Sequence, residues 1–166
     1  MPDDFDTRGI PPTLYFGYGS NLWIDQMNRR CHESRYIGIG ILSNWCWIIN
    51  QCGYADIIPS SGDHVYGFVY ELSFRDEESL DKYEGVPHDY EKRIIRLELI
   101  MSSDEGKTVE RRAIDALAYI DFNRTSRDIP KMEYIHRINM GIKDALQKGI
   151  PQSYVDRYIR LFIPPE

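Results

Sequence analysis

Alternation of apolar and polar positions is clearest at Val65–Leu72, where Tyr66, Phe68, Tyr70 and Leu72 face one side of an extended chain and Val65, Gly67, Val69 and Glu71 the other. This period of two predicts a strand. It recurs at Ile94–Leu99 and Ala113–Ile120, while Tyr36–Ile49 reads as two strands meeting around Ser43 and Asn44, and Leu14–Tyr18 adds another. Together these segments predict about six strands, an ordinary sheet size. Elsewhere the period is helical. Ser73 followed by Asp76 makes a capping-box-like pair; Asp76, Glu77 and Glu78 put negative charge where the helix dipole favours it, and Gly85 stops the helix. Ile135, Ile138, Ile142 and Leu146 form an apolar stripe after Pro130, Gly149 and Pro151 punctuate it, and Val155, Ile159 and Phe162 carry a second stripe.

Strands in hairpin-like succession followed by terminal helices predict an α+β fold. The expected architecture is a single domain: a small mixed or antiparallel β-barrel with flanking helices and a C-terminal helix pair packed on the sheet. Residues 1–12, which include Pro2, Pro11 and Pro12, read as an N-terminal arm, and 13–166 as the domain. A chain of 166 residues with 42% hydrophobic content suits one core and leaves little room for a second.

A net charge of −6, with the acidic residues dispersed, argues against nucleic acid, whose phosphates require a basic face. The longest uninterrupted apolar run, Trp45–Ile49, is far short of the ~20 residues of a membrane helix. Cys31, Cys46 and Cys52 have no framework spacing, and the acidic N-terminus lacks an apolar signal core, so a reduced, cytoplasmic protein is expected. His32, His64, His88 and His136 are scattered and no zinc-ligand spacing occurs, so no metal is expected. Cys46, inside a strand-like apolar run, reads as a packed small hydrophobe.

Two short segments carry candidate chemistry. In "LYFGYGSNL", Leu14–Leu22, a strand gives way to Gly17 and Gly19, which accept unusual backbone angles and let a ligand touch the main chain. A short helix beginning near Leu22 would leave the N–H groups around Ser20 to Leu22 without internal partners, ready for a carboxylate or an oxyanion. A plainer reading, in which Ser20 or Asn21 caps that helix and the glycines merely turn the chain, stands level with it. Nucleotide loops do not fit, because no Gly-Lys-Ser/Thr follows and Leu22 takes the third glycine position of G-x-G-x-x-G.

In "SLDKYEGV", Ser79–Val86, Leu80 and Glu84 lie four apart and share a helical face. Leu80 turns that face inward and carries Glu84 with it. Glu84 also ends its helix, where the dipole disfavours a carboxylate, so burial and dipole both raise its pKa toward values useful for proton transfer. The alternative is a solvated helix-end charge paired with Lys82 or Arg93.

With these motifs in place the sequence resembles the γ-glutamylcyclotransferase family. The resemblance is carried by "YGSNL" (Tyr18–Leu22), "GDHVYGFVYEL" (Gly62–Leu72) and "LDKYEGV" (Leu80–Val86), then by "ALAYI" (Ala116–Ile120) and the terminal stretch Tyr134–Ile159. It implies a small barrel with a cavity at the YGSN loop, and conversion of a γ-glutamyl amino acid or peptide into 5-oxoproline and a free amino acid, without a cofactor. It further implies Glu84 as catalytic acid and base, and Tyr18, Gly19, Ser20, Asn21, Leu22, Tyr90, Tyr119 and Tyr134 as substrate-binding residues. Tyr90 stands one residue nearer Glu84 than in the animal enzymes. The implied partner is a small γ-glutamyl molecule, and the resemblance allows a homodimer. Two other functions share these residues: a γ-glutamylamine or γ-glutamyl-adduct cyclotransferase, and a non-catalytic module that holds a small anion.

Overall fold

The computed structural model describes residues 9–102 and 109–166, so most of the expected N-terminal arm lies outside the described residues. Strand β1 (Thr13–Gly17) runs antiparallel to the C-terminal part of β3 (Ala55–Leu72), with Tyr15 opposite Tyr70. On its other side β1 meets β5 (Val109–Ile120) in parallel at Tyr15 and Leu117. Strands β2 (Arg35–Ile49) and β4 (Glu91–Ser102) complete a closed barrel in the order β1-β3-β2-β4-β5. Closure gives every strand two neighbours among the described residues.

Five strands form where six were expected, because Ser43 and Asn44 do not turn the chain. They make a bulge: the register with β3 shifts between Ser43 and Trp45, and Asn44 takes a φ of 67°. β2 then continues to Ile49, paired with the still longer β3. Phe16 fills the barrel interior. Its ring lies where a Cβ on Gly40 or Gly67 would stand, 2.8 and 2.7 Å away, which accounts for glycines inside two strands.

The helices form for the reasons read in the sequence. Ser73 Oγ accepts the N–H of Asp76 and starts α2 (Phe74–Tyr83), Leu80 is fully buried, and Glu84 occupies the C-terminal cap before Gly85 at φ 62°. After a tight turn at Ser20–Leu22, α1 (Ile24–Arg30) is capped from a distance: Asp144 Oδ2 accepts the N–H of Ile24 at 2.9 Å. Asp144 belongs to α3 (Met132–Lys148), which ends at Gly149 with φ 113°. α3 lies chiefly against the Ser20–Leu22 turn, and α4 (Gln152–Arg157) against β3 through Tyr154 and Tyr66, so the terminal pair divides its packing between loop and sheet. Among the described residues no helix is long and apolar enough to cross a membrane.

Candidate active site

A cavity of about 640 Å³ opens where β1 passes into the glycine loop, a size within the usual range for small-molecule sites. Its wall brings together Tyr18, Gly19, Ser20, Asn21, Glu84, Tyr90, Tyr119 and Tyr134, all singled out in the sequence. Leu22 is the exception. It is buried against α3, its Cβ 2.9 Å from where a Cβ on Gly141 would stand, and it holds the loop from behind instead of lining the cavity.

The loop is braced at nearly every residue. Trp47 Nε1 donates to the carbonyl of Tyr18 at 2.9 Å, and the Tyr18 hydroxyl donates to the carbonyl of Tyr119. Tyr70 donates to the carbonyl of Asn21 at 2.8 Å. The Asn21 amide donates to the Tyr15 hydroxyl, while Asn21 Oδ1 and Ser20 Oγ both accept from Gln26. These side chains are spent on tertiary bonds, and neither Ser20 nor Asn21 caps a helix. The Leu22 N–H donates to Gly19 at 3.1 Å, so the expected run of free amides shortens to Ser20 and Asn21, whose N–H groups have no partner among the described residues. Gly19 is needed for space: a Cβ there would stand 3.1 Å from both Ala55 Cβ and the Tyr134 hydroxyl.

Glu84 lines the same cavity as this loop. Among the described residues it makes no ion pair, neither with Lys82 nor with Arg93, which pairs instead with Glu91. Burial raises its pKa to about 7, and the nearby guanidinium groups of Arg30 and Arg137 hold it from rising further. The surrounding phenols keep their protons: burial pushes Tyr134 up to about 12 and Tyr15, Tyr18 and Tyr90 well above the ordinary phenol value. Tyr90 donates to the carbonyl of Ala55 at 2.7 Å, and Tyr134 Oη accepts the N–H of Ala55 at 3.4 Å.

Sequence reasoning missed several lining residues, including Tyr15, Arg30, Tyr54, Asp121, Arg124, Lys131 and Arg137. A signal existed for some of them. Gln26 and Arg30 are one turn apart on α1 and both reach Asn21, and Tyr134 and Arg137 share a face of α3, where the guanidinium stacks on the ring at 4.9 Å. The aromatic stripe of Tyr66, Phe68 and Tyr70 supports the barrel core and the loop but does not wall the cavity. No histidine lines it either. Among the described residues no group of His, Cys, Asp or Glu side chains gathers to hold a metal ion.

The model of the γ-glutamyl cyclotransferase, AIG2-like family matches residues 15–136, a span that runs from β1 through Glu84 to α3. The chain belongs to this family. Among proteins of assigned activity, it is similar to the γ-glutamylcyclotransferase of Bos taurus, with 28% identity over 165 residues, covering 92% of this chain and 80% of that one. The Homo sapiens γ-glutamylcyclotransferase is 27% identical over 154 residues, covering 87% of this chain and 76% of that one. Among solved structures, a γ-glutamyl cyclotransferase superposes with a TM-score of 0.67 at 25% identity over 93% of this chain and 89% of that one. An uncharacterized human protein gives a TM-score of 0.72 at 26% identity, over 94% and 90%. These likenesses agree with the α+β barrel and its flanking helices.

Proposed function

We propose that the chain is a γ-glutamylcyclotransferase that converts a γ-glutamyl amino acid into 5-oxoproline and the free amino acid, with Glu84 carrying the proton. The observation that supports this most is the meeting, in one cavity, of a carboxylate that has no ion-pair partner among the described residues, its pKa raised by burial to about 7, with the amides of the YGSN loop. A mere anion-binding module would be harmed by that carboxylate.

The chemistry is an intramolecular acyl transfer. The α-amine attacks the γ-carbonyl carbon of the same molecule, a C–N bond of the five-membered ring forms, and the C–N bond to the departing amino acid breaks. Glu84 as carboxylate takes a proton from the α-ammonium and gives it to the leaving nitrogen, and the second proton shed by the ring nitrogen passes to the departing amine, which leaves as the ammonium, so no water is consumed. Because attacker and target are tethered, holding the substrate folded exploits effective molarities of about 10⁵ M or more. The Ser20 and Asn21 N–H groups with Arg30 hold the glutamyl α-carboxylate. Tyr134 Oη accepts the Ala55 N–H, and burial keeps it protonated, so its own proton remains for the developing oxyanion. Tyr18, Gly19, Tyr90 and Tyr119 shape the wall. The scheme requires no cofactor.

The test is release of 5-oxoproline from γ-glutamyl amino acids by the wild type and by Glu84→Gln. Turnover by the wild type, with loss of about three orders of magnitude or more in a folded variant that still binds substrate, is the expected result. Undiminished release by Glu84→Gln removes that residue from the mechanism.

A further inference from the structure

The whole chain is acidic, at −6, yet its cavity is lined by four basic side chains (Arg30, Arg124, Lys131, Arg137) against three acidic ones (Glu84, Asp89, Asp121). Two of the four are already neutralised. Arg124 pairs with Asp121 at 2.6 Å, and Arg137 pairs with Glu133 at 2.9 Å. The remaining two have no carboxylate within 4.0 Å among the described residues: Arg30, which reaches only Asn21 Oδ1 and the face of Tyr83, and Lys131.

Arg30 and Lys131 reach the cavity wall from different elements, the end of α1 and the start of α3. Arg30 sits at the end of α1, beside the YGSN loop, near enough to Glu84 to act on its charge. Lys131 sits beyond Tyr134, on the other side of Tyr54: the Tyr54 and Tyr134 rings meet edge to face at 5.1 Å, and Lys131 Nζ lies 5.6 Å from the Tyr54 centroid. Its placement is not that of a loose surface lysine. The Lys131 N–H donates to the carbonyl of Gly53 at 3.1 Å, and its stem crosses the Gly53 turn so closely that a Cβ on Gly53 would stand 2.7 Å from Lys131 Cγ. The base of this exposed side chain is therefore fixed at the cavity wall, and its ammonium has no carboxylate within 4.0 Å among the described residues.

We propose that Lys131 is a specificity-determining residue which binds a carboxylate on the leaving-amine side of the substrate, so that the enzyme selects γ-glutamyl amino acids over γ-glutamyl amines. The inference rests on the proposed cyclotransferase reaction. A γ-glutamyl amino acid carries one carboxylate on the glutamyl α-carbon and another on the leaving amino acid, separated by the scissile amide. Those two charges match the two cations of the cavity wall that have no carboxylate partner among the described residues, Arg30 beside Glu84 and Lys131 beside Tyr54. A γ-glutamyl amine lacks the second carboxylate and would leave Lys131 unmatched, forfeiting one charge-assisted contact. Such a contact acts on binding more than on the barrier, because the leaving group's carboxylate has the same charge in substrate and transition state.

The experiment compares γ-glutamyl-alanine with γ-glutamyl-ethylamide, which differ only by that carboxylate, on wild type, Lys131→Met and Lys131→Arg. The wild type is expected to favour the alanine compound by roughly tenfold in kcat/KM, as suits one charge-assisted hydrogen bond at a solvent-facing wall. Lys131→Met should raise KM for γ-glutamyl-alanine by about the same factor with little change in kcat, leave the ethylamide untouched, and be rescued by arginine. Equal use of both compounds by the wild type, or an equal loss on both in Lys131→Met, overturns the assignment. Absence of 5-oxoproline from both compounds with the wild type is a different failure: it overturns the cyclotransferase reading, and this inference falls with it.

Discussion

The hydroxyl of Tyr119 donates to Oδ1 of Asp81 across 2.7 Å, tying the end of β5 to α2 one helical turn before Glu84. Asp81 also receives Lys92 at 3.1 Å, so the helix end that presents the candidate base is fixed from two strands. Removing the hydroxyl should cost about 1–2 kcal/mol, as expected for one hydrogen bond to a charged and partly buried acceptor. Tyr119→Phe is predicted to lower the urea midpoint modestly and kcat more than KM, because Glu84 loses part of its positioning while the substrate amides remain. Chemical denaturation and steady-state kinetics on one preparation check both effects; an unchanged kcat would show that the Lys92 contact alone suffices.

Glu84 should leave a pH signature on stability opposite to that of an ordinary paired carboxylate. Its folded pKa is raised from the usual 4.5 to about 7, so the folded state binds the extra proton between those values. The stabilising effect of that proton is complete below about pH 4.5 and is lost as pH rises through about 7. Glu84→Gln abolishes the loss and is predicted to be more stable than wild type at pH 8, by on the order of 1–3 kcal/mol, and indistinguishable from it near pH 4.5. Thermal melts at the two pH values test this independently of any activity. On the wild type, kcat/KM should rise through pH 7 as the base ionises.

Much of this geometry was legible in the chain, and the reason is local. The alternation at Val65–Leu72 and the Ser73–Asp76 cap are short-range signals; the helix starts where the cap put it, and the strand includes Val65–Leu72 but begins earlier, at Ala55. Glu84 was legible because it lies one turn beyond buried Leu80. What local pattern cannot carry is pairing. Ser43 and Asn44 look like a turn until the length of β3 is known, and then they are a bulge. Leu22 belongs to the YGSN motif, but which side of the loop faces the cavity depends on the approach of Gly141, far along the chain. Lys131 was hidden for the same reason: only the closed barrel brings the start of α3 against the turn at Gly53.

Arg124 holds the segment between Glu84 and Tyr90 in place. Its Nη2 donates to the carbonyls of His88 and Asp89 at 2.9 and 3.0 Å, while Nε donates to Asp121 Oδ2. Asp121 is buried, and its own N–H donates to Asp56 Oδ1 in β3, so the loop is anchored through to the barrel. Arg124→Ala strands the Asp121 charge, and a loss of stability is expected, moderated by the exposure of the arginine. Asp121→Asn combined with Arg124→Ala should recover part of that loss, since no uncompensated charge remains. In the single variant the Asp89 amide, which donates to Gly85 at 2.8 Å, should exchange with deuterium faster than the amides of β3. Unchanged exchange at Asp89 would mean that the loop is held without the arginine.

Gly19 sets how closely the loop approaches the opposite wall. Its backbone sits at φ −108° and ψ −127°, and an added methyl would stand 3.1 Å from the Tyr134 hydroxyl and from Ala55 Cβ, tighter than ordinary contact. Neither neighbour can give freely: Ala55 is in β3, and Tyr134 Oη accepts the Ala55 N–H. Gly19→Ala is therefore predicted to cost about 1–3 kcal/mol through overpacking and to move Tyr134 away from the reacting carbonyl. Activity should fall by roughly tenfold or more, mainly in kcat, because an oxyanion donor is displaced. Gly62→Ala is the control for a glycine remote from the cavity: its φ of 86° strains an added side chain, but nothing lies within 4 Å of the new methyl. It should lose stability while keeping kcat. A Gly19→Ala protein with normal kcat would show that the Tyr134 hydroxyl does not need its present distance from the loop.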